Sequence, residues 1–181
     1  MLASASSPAP SSADDLTFTT RYDDEIRIAV RRYWLGAPDW RWWKAQLYQE
    51  SRLDPSAVSA AGAAGLAQFM PRTWDDVSRQ LGWAGISPHV ARYAIDAGAY
   101  YMMELRQIWR ADRSLMERHR LAQASYNAGA GHILAAQKLC HDARLWTEIA
   151  PCLAQVTGPD HAAETTGYVD AIARWREMLE H

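Results

Sequence analysis

The chain has 181 residues, enough for one domain with a sizeable core and too few for two ordinary ones. Its net charge of −2 and pI near 6.3 argue against nucleic acid as a partner, for which a strongly basic balance is expected. No apolar run approaches the roughly 18 residues of a membrane span.

Residues 2–13 contain only Leu, Ala, Ser and Pro, which bury too little surface to offset the entropy of ordering. Residues 1–20 are therefore read as a flexible arm ahead of a single domain over 21–181. The arm has neither the basic start nor the apolar stretch of an export signal. A helix is predicted over 22–35, closed by Gly36 and Pro38, and a second from an N-cap at Asp39 to Leu53, ended by Asp54-Pro55. A loop over 56–62, a short helix over 65–70, a break at Pro71 and a helix over 73–81 follow. After a loop over 82–88, a long helix is predicted over 89–109, where Val90, Ala94, Ala97, Tyr101, Leu105 and Ile108 recur in steps of three and four. Further helices are expected over 114–127, stopped by Gly129 and Gly131, and over 132–139, 144–153 and 162–179. No stretch alternates with period two. The class is all-α.

Nine Trp and eight Tyr stand against two Phe. Both residues join an apolar face to a hydrogen-bonding tip, which suits sugar rings as well as cores. Cys140 and Cys152 leave two readings open, a short-loop disulfide or two buried thiols. Only His141 lies near them as a further ligand, and the six His are scattered, so no metal site and no cofactor is expected. Arg27, Arg31 and Arg32 form a basic stretch read as a solvated helix face.

One carboxylate stands out. At about 100° per residue, Trp40, Trp42, Trp43, Leu47 and Leu53 all fall within roughly 80° of Glu50 on its helix. Arg41, Lys44 and Tyr48 lie on the other side. Glu50 thus sits in the inward stripe, where burial raises a carboxyl pKa as a general acid at neutral pH requires. A Glu held by a structural Arg would give the same pattern.

Beyond it comes an ordered series: Glu50-Ser51, then Gly65-Leu66-Ala67-Gln68-Phe69-Met70-Pro71, then Tyr126-Asn127-Ala128-Gly129, then Glu164-Thr165-Thr166-Gly167-Tyr168-Val169. With Asp96-Ala97-Gly98-Ala99-Tyr100-Tyr101 between, the set spans residues 40–176 and resembles the soluble lytic murein transglycosylases. These belong to the goose-lysozyme-like group, glycoside hydrolase family 23. The resemblance implies a single lysozyme-like α-helical domain with a substrate groove. It further implies cleavage of the β-1,4 bond between N-acetylmuramic acid and N-acetylglucosamine in peptidoglycan, leaving 1,6-anhydro ends. Residue by residue, it makes Glu50 the acid/base and Ser51 an orienting group for the substrate. Gln68, Tyr126, Asn127 and Tyr168 become cleft residues, with the Tyr168 hydroxyl close to the catalytic carboxylate. Glu164, one turn before Tyr168, is carried over with them. The family often has Met at the position of Ala67, so a looser sugar subsite is expected there.

The expected partner is the peptidoglycan glycan strand, met by a monomer acting in the periplasm or cell wall, with a phage endolysin as the leading setting. A hydrolytic muramidase on the same fold would need a second carboxylate, for which Asp54 and Asp96 are candidates. A non-catalytic peptidoglycan-binding module is the alternative from another class.

Overall fold

A computed structural model describes residues 18–35 and 38–180, and all statements of absence below concern these described residues. The expected arm through residue 17, and the helix-closing Gly36, lie outside them. The chain forms eight helices: α1 Asp23–Tyr33, α2 Trp40–Ser51, α3 Pro71–Gln80, α4 Ala91–Ile108, α5 Leu115–Ala128, α6 Ala130–Leu139, α7 Trp146–Thr157 and α8 Pro159–Met178. No strand is present beyond isolated bridges, in line with the all-α expectation.

Local chemistry sets the boundaries. Asp39 accepts the Arg41 N–H at 2.7 Å as N-cap of α2, and Ser114 accepts the Glu117 N–H at 3.1 Å as N-cap of α5. Arg52 and Leu53, both at positive φ, end α2 two residues before the expected Leu53. Pro159 suits the first turn of a helix, so α8 begins three residues ahead of the expected Ala162. Gly129 alone separates α5 from α6, at φ +90°, while Gly131 continues the helix.

The short helix expected over 65–70 is absent. That segment forms turns with antiparallel bridges between Val58 and Ala64 and between Ala64 and Phe69. Gly65 (φ +76°) and Gln68 (φ +46°) are both left-handed, which a right-handed helix cannot accommodate. A Cβ on Gly65 would stand 2.0 Å from the Pro88 carbonyl oxygen, so the backbone of this loop is pressed against the segment leading into α4.

Two apolar clusters flank α2. One joins α1, α3 and α4 through Ile26, Trp34, Trp43, Leu47, Trp74 and Ile95, and the other joins α5 to α8 through Leu121, Ile133, Ile149, Leu153 and Ile172. α2 packs on α1 on one side and on α8 on the other. Trp43 packs against α4 at Gly98, where a Cβ would meet its ring at 2.5 Å, and its Nε1 donates to the Ile95 carbonyl at 3.1 Å. Phe18 packs edge-on against Tyr48 and Trp175, with centroids 4.7 and 6.4 Å away.

One side chain differs from the sequence reading. Lys44, expected on the solvated side of α2, is buried and paired with Asp23 of α1 at 2.6 Å. Arg31 and Arg32 lie on the solvated face expected of them and Arg27 is half-buried, while Arg27 pairs with Asp24 at 3.2 Å and Arg32 with Asp96 at 2.7 Å. The cysteine alternatives resolve to a disulfide, Cys140–Cys152, which ties the end of α6 to α7.

Candidate active site

The last turn of α2 carries Glu50 into the space between α5, α8 and the 56–70 loop. Its side chain meets protein on most sides and keeps partial exposure. Burial pushes its carboxyl from 4.5 up to about 8, with a hydrogen bond from Tyr168 pulling the other way. Tyr168, buried on α8, donates its hydroxyl to Glu50 Oε1 in a short hydrogen bond. Burial first, and then the neighbouring Glu50, hold Tyr168 and Tyr126 in the phenol form well above the usual tyrosine range. Both tyrosines are therefore donors throughout the neutral range. Tyr126 spends its hydroxyl on the Ala67 carbonyl at 2.7 Å.

Asn127 follows Tyr126 at the end of α5. It is buried, its Oδ1 accepts from the Thr165 hydroxyl at 2.8 Å, and its Nδ2 has no acceptor among the described residues. Asn127 and Ala128 form the common wall of two adjoining depressions. One, of about 110 Å³, runs along Phe69, Met70, Tyr101 and Tyr126; the other, of about 250 Å³, along His132, His161 and Glu164. A residue with an unpartnered amide donor thus stands where the two depressions meet.

Ser51 and Gln68 work on the protein itself. The Ser51 hydroxyl donates to the Leu66 carbonyl at 2.9 Å, which pins the loop to the end of α2. The Gln68 amide donates to the Gly65 and Ala57 carbonyls at 3.0 and 3.2 Å, which holds the loop closed. Ala67 is fully buried and faces Gly98 of α4, so its small side chain belongs to the core rather than to an open subsite. Its size suits the close approach of the loop to α4.

Asp96 does not join Glu50. It accepts from Arg32 and from the Tyr33 hydroxyl at 2.9 Å on the α1 side of α4. Asp54 caps the turn at Ser56, accepting its N–H at 2.8 Å.

One residue escaped the sequence reading. Gln46, fully buried one turn before Glu50, lies by the Tyr168 hydroxyl, whose pKa its amide lowers, and places its Nε2 3.5 Å from Met102 Sδ. A donor amide there leaves the hydroxyl hydrogen free to point at Glu50. The helical spacing of Gln46 and Glu50 was a signal for it, since residues four apart share a face.

A family model for the transglycosylase SLT domain matches residues 38–147. The chain belongs to that family. It is 30% identical over 161 residues to membrane-bound lytic murein transglycosylase F of Shewanella frigidimarina, covering 80% of this chain and 32% of that one. With the protein of the same name from Ectopseudomonas mendocina it shares 35% over 158 residues, covering 78% and 30%. The chain thus spans about a third of the length of these relatives. Among solved structures, the 70 kDa soluble lytic transglycosylase of Escherichia coli superposes with a TM-score of 0.69 at 22% identity, covering 89% of this chain and 24% of that one. An inactive mutant of lytic transglycosylase Slt from Pseudomonas aeruginosa gives 0.67 at 26% identity, covering 88% and 24%. The fold is that of the lytic transglycosylases.

Proposed function

We propose that the protein is a peptidoglycan lytic transglycosylase with Glu50 as its one catalytic carboxyl. The observation that carries this reading is the largely enclosed carboxyl of Glu50 accepting the Tyr168 hydroxyl, with burial raising its pKa to about 8. Such a group is protonated at neutral pH and ready to donate.

Glu50 gives its proton to the glycosidic oxygen between N-acetylmuramic acid and N-acetylglucosamine. As the bond from that oxygen to the muramic anomeric carbon breaks, the acetamido group of the muramic sugar stabilises the positive charge. Glu50, now a carboxylate, takes the proton from the same sugar's C6 hydroxyl. The C6 oxygen closes on the anomeric carbon, leaving a 1,6-anhydro ring and restoring the acid. Because the nucleophile is tethered, intramolecular attack contributes on the order of 7–11 kcal/mol and no second carboxylate is required. Engagement of Asp96 and Asp54 elsewhere favours this route over hydrolysis by water. Tyr168 stabilises the carboxylate stage through its hydrogen bond. Asn127 Nδ2 is proposed to donate to the sugar beside the scissile bond, with Glu164 lining the groove further along. Ser51 and Gln68 shape the loop that forms one wall.

The disulfide suits an oxidising compartment, where peptidoglycan lies. A bacteriolytic role, such as that of a phage endolysin, is the setting we infer for this activity. Turbidity loss when the protein is added to permeabilised Gram-negative cells tests it. For the chemistry, wild type and Glu50→Gln are incubated with purified peptidoglycan and the products weighed by mass spectrometry. Anhydro ends from wild type alone are expected. Reducing ends would establish hydrolysis, and cleavage by Glu50→Gln would remove Glu50 from the role.

A further inference from the structure

Two helix corners are built alike and meet at one pocket. At the first, Gly129 (φ +90°) separates α5 from α6, and His132 places Nδ1 2.7 Å from the carbonyl oxygen of Ala128, the last residue of α5. At the second, Gly158 (φ +85°) separates α7 from α8, and His161 places Nδ1 3.2 Å from the carbonyl oxygen of Thr157, the last residue of α7. A carbonyl oxygen only accepts, so Nδ1 carries the hydrogen in both rings and the neutral imidazole offers Nε2 as an acceptor. Both histidines line the depression of about 250 Å³ whose wall includes Asn127 and Ala128.

The rest of the lining is of the same kind. Thr165 donates its hydroxyl hydrogen to Asn127 Oδ1 at 2.8 Å, and Thr157 donates to the Leu153 carbonyl at 3.2 Å, which leaves lone pairs on both oxygens. Glu164 adds a carboxylate, and no Lys or Arg lines the pocket. Histidines aside, the charged residues over 150–170 are Asp160, Glu164 and Asp170, and the stretch 127–137 has none. Among the described residues, the lining side-chain donor without a protein acceptor is Asn127 Nδ2, at the wall shared with the groove along Tyr126. Each corner joins the carboxyl end of one helix to the amino end of the next, so their dipoles largely offset and formal charge sets the sign.

We infer that this pocket receives a primary ammonium group carried by the peptide arm of the muramic sugar, an inference that rests on the peptidoglycan reading above. An ammonium has three hydrogens and no lone pair, which suits a wall of acceptors with a carboxylate among them. A carboxylate in its place would meet Glu164 with no Lys or Arg in the lining to offset the repulsion. When two arms are cross-linked through the amine, it becomes an amide, which has no charge and a single hydrogen. The pocket therefore favours strands whose arms are free over strands already joined.

The test titrates Glu50→Gln, full chain, with a disaccharide-tripeptide fragment of peptidoglycan whose diamino acid has its side-chain amine either free or acetylated. Acetylation is expected to weaken binding by calorimetry roughly 10- to 100-fold, the range for loss of a charge-assisted hydrogen bond. Adding Glu164→Gln, which removes the charge and keeps the shape, is expected to abolish most of that preference. His161→Leu in the same background is expected to reduce it, and a single cooperative unfolding transition checks that each variant is folded. Equal affinity for the two fragments, binding of neither, or a preference that survives both substitutions overturns the inference. Cleavage of whole peptidoglycan by wild type is read separately. Anhydro ends together with equal affinities remove the ammonium pocket and leave the transglycosylase reading, whereas an amine preference without cleavage does the reverse.

Discussion

Replacing Glu50, the proposed catalytic carboxyl, is expected to make the protein more stable, and by an amount that depends on pH. In the folded state burial holds Glu50 at about 8, against 4.5 in an exposed chain. Below 4.5 both states carry the proton and the group is neutral toward folding. As pH rises past 4.5 the unfolded chain gives up its proton first, and each further unit disfavours the folded state by about 1.4 kcal/mol until the folded carboxyl ionises too. At pH 7 the penalty is on the order of 3 kcal/mol, and above pH 8 it levels off on the order of 5 kcal/mol. Glu50→Gln removes the ionisation and keeps an oxygen that can accept the Tyr168 hydroxyl hydrogen. The variant should therefore melt above wild type at pH 7 by roughly 6–12 °C for a gain of about 3 kcal/mol. Scanning both proteins by calorimetry from pH 4 to 9 checks the sign as well as the size. The two melting curves should converge near pH 4.5 and separate steadily up to about 8. A constant gap across that range, or a less stable variant at pH 7, would refute burial as the source of the raised pKa.

Tyr168→Phe removes the bond that opposes burial at Glu50, so the basic limb of the pH–activity profile should move upward, with turnover falling roughly 10²-fold. Gln46→Met should move the same limb by less and add nothing in the Tyr168→Phe background, because it acts through that hydroxyl; additive effects would assign it another role. Cys140→Ser/Cys152→Ser opens a loop with a sequence separation of 12, and is expected to lower stability by about 3 kcal/mol. Cleavage at 25 °C should persist in that variant, as measured by product release, since the disulfide joins α6 to α7 away from Glu50.

Much of this molecule is legible along the chain because helices are local. Steps of three and four marked α4, Asp39 and Ser114 announced two starts, and the inward phase of Glu50 on α2 follows from its neighbours alone. The ordered motifs from Glu50 to Tyr168 likewise pointed to the family to which the chain belongs. The 65–70 segment misled because its two left-handed residues are held by tertiary contact, Gly65 by the close approach of Pro88 and Gln68 by its own amide bonds across the loop. Lys44 misled for a related reason: a helical wheel has one partner face, whereas α2 is covered by α1 on one side and α8 on the other.

The sequence by itself determined the long helices and which carboxyl faces inward, since both depend on neighbours within a turn or two. Only the tertiary structure decided what that carboxyl meets. Tyr168 lies 118 residues from Glu50, and Gln46 and Glu50 both meet its hydroxyl only because α2 packs on α8. The pairing of Cys140 with Cys152, the withdrawal of Asp96 to Arg32 and the crowding of Arg106 against Arg118 are of the same kind. Hydrogen bonds and charge interactions fall off over a few ångströms, so their partners are chosen by packing and not by distance along the chain.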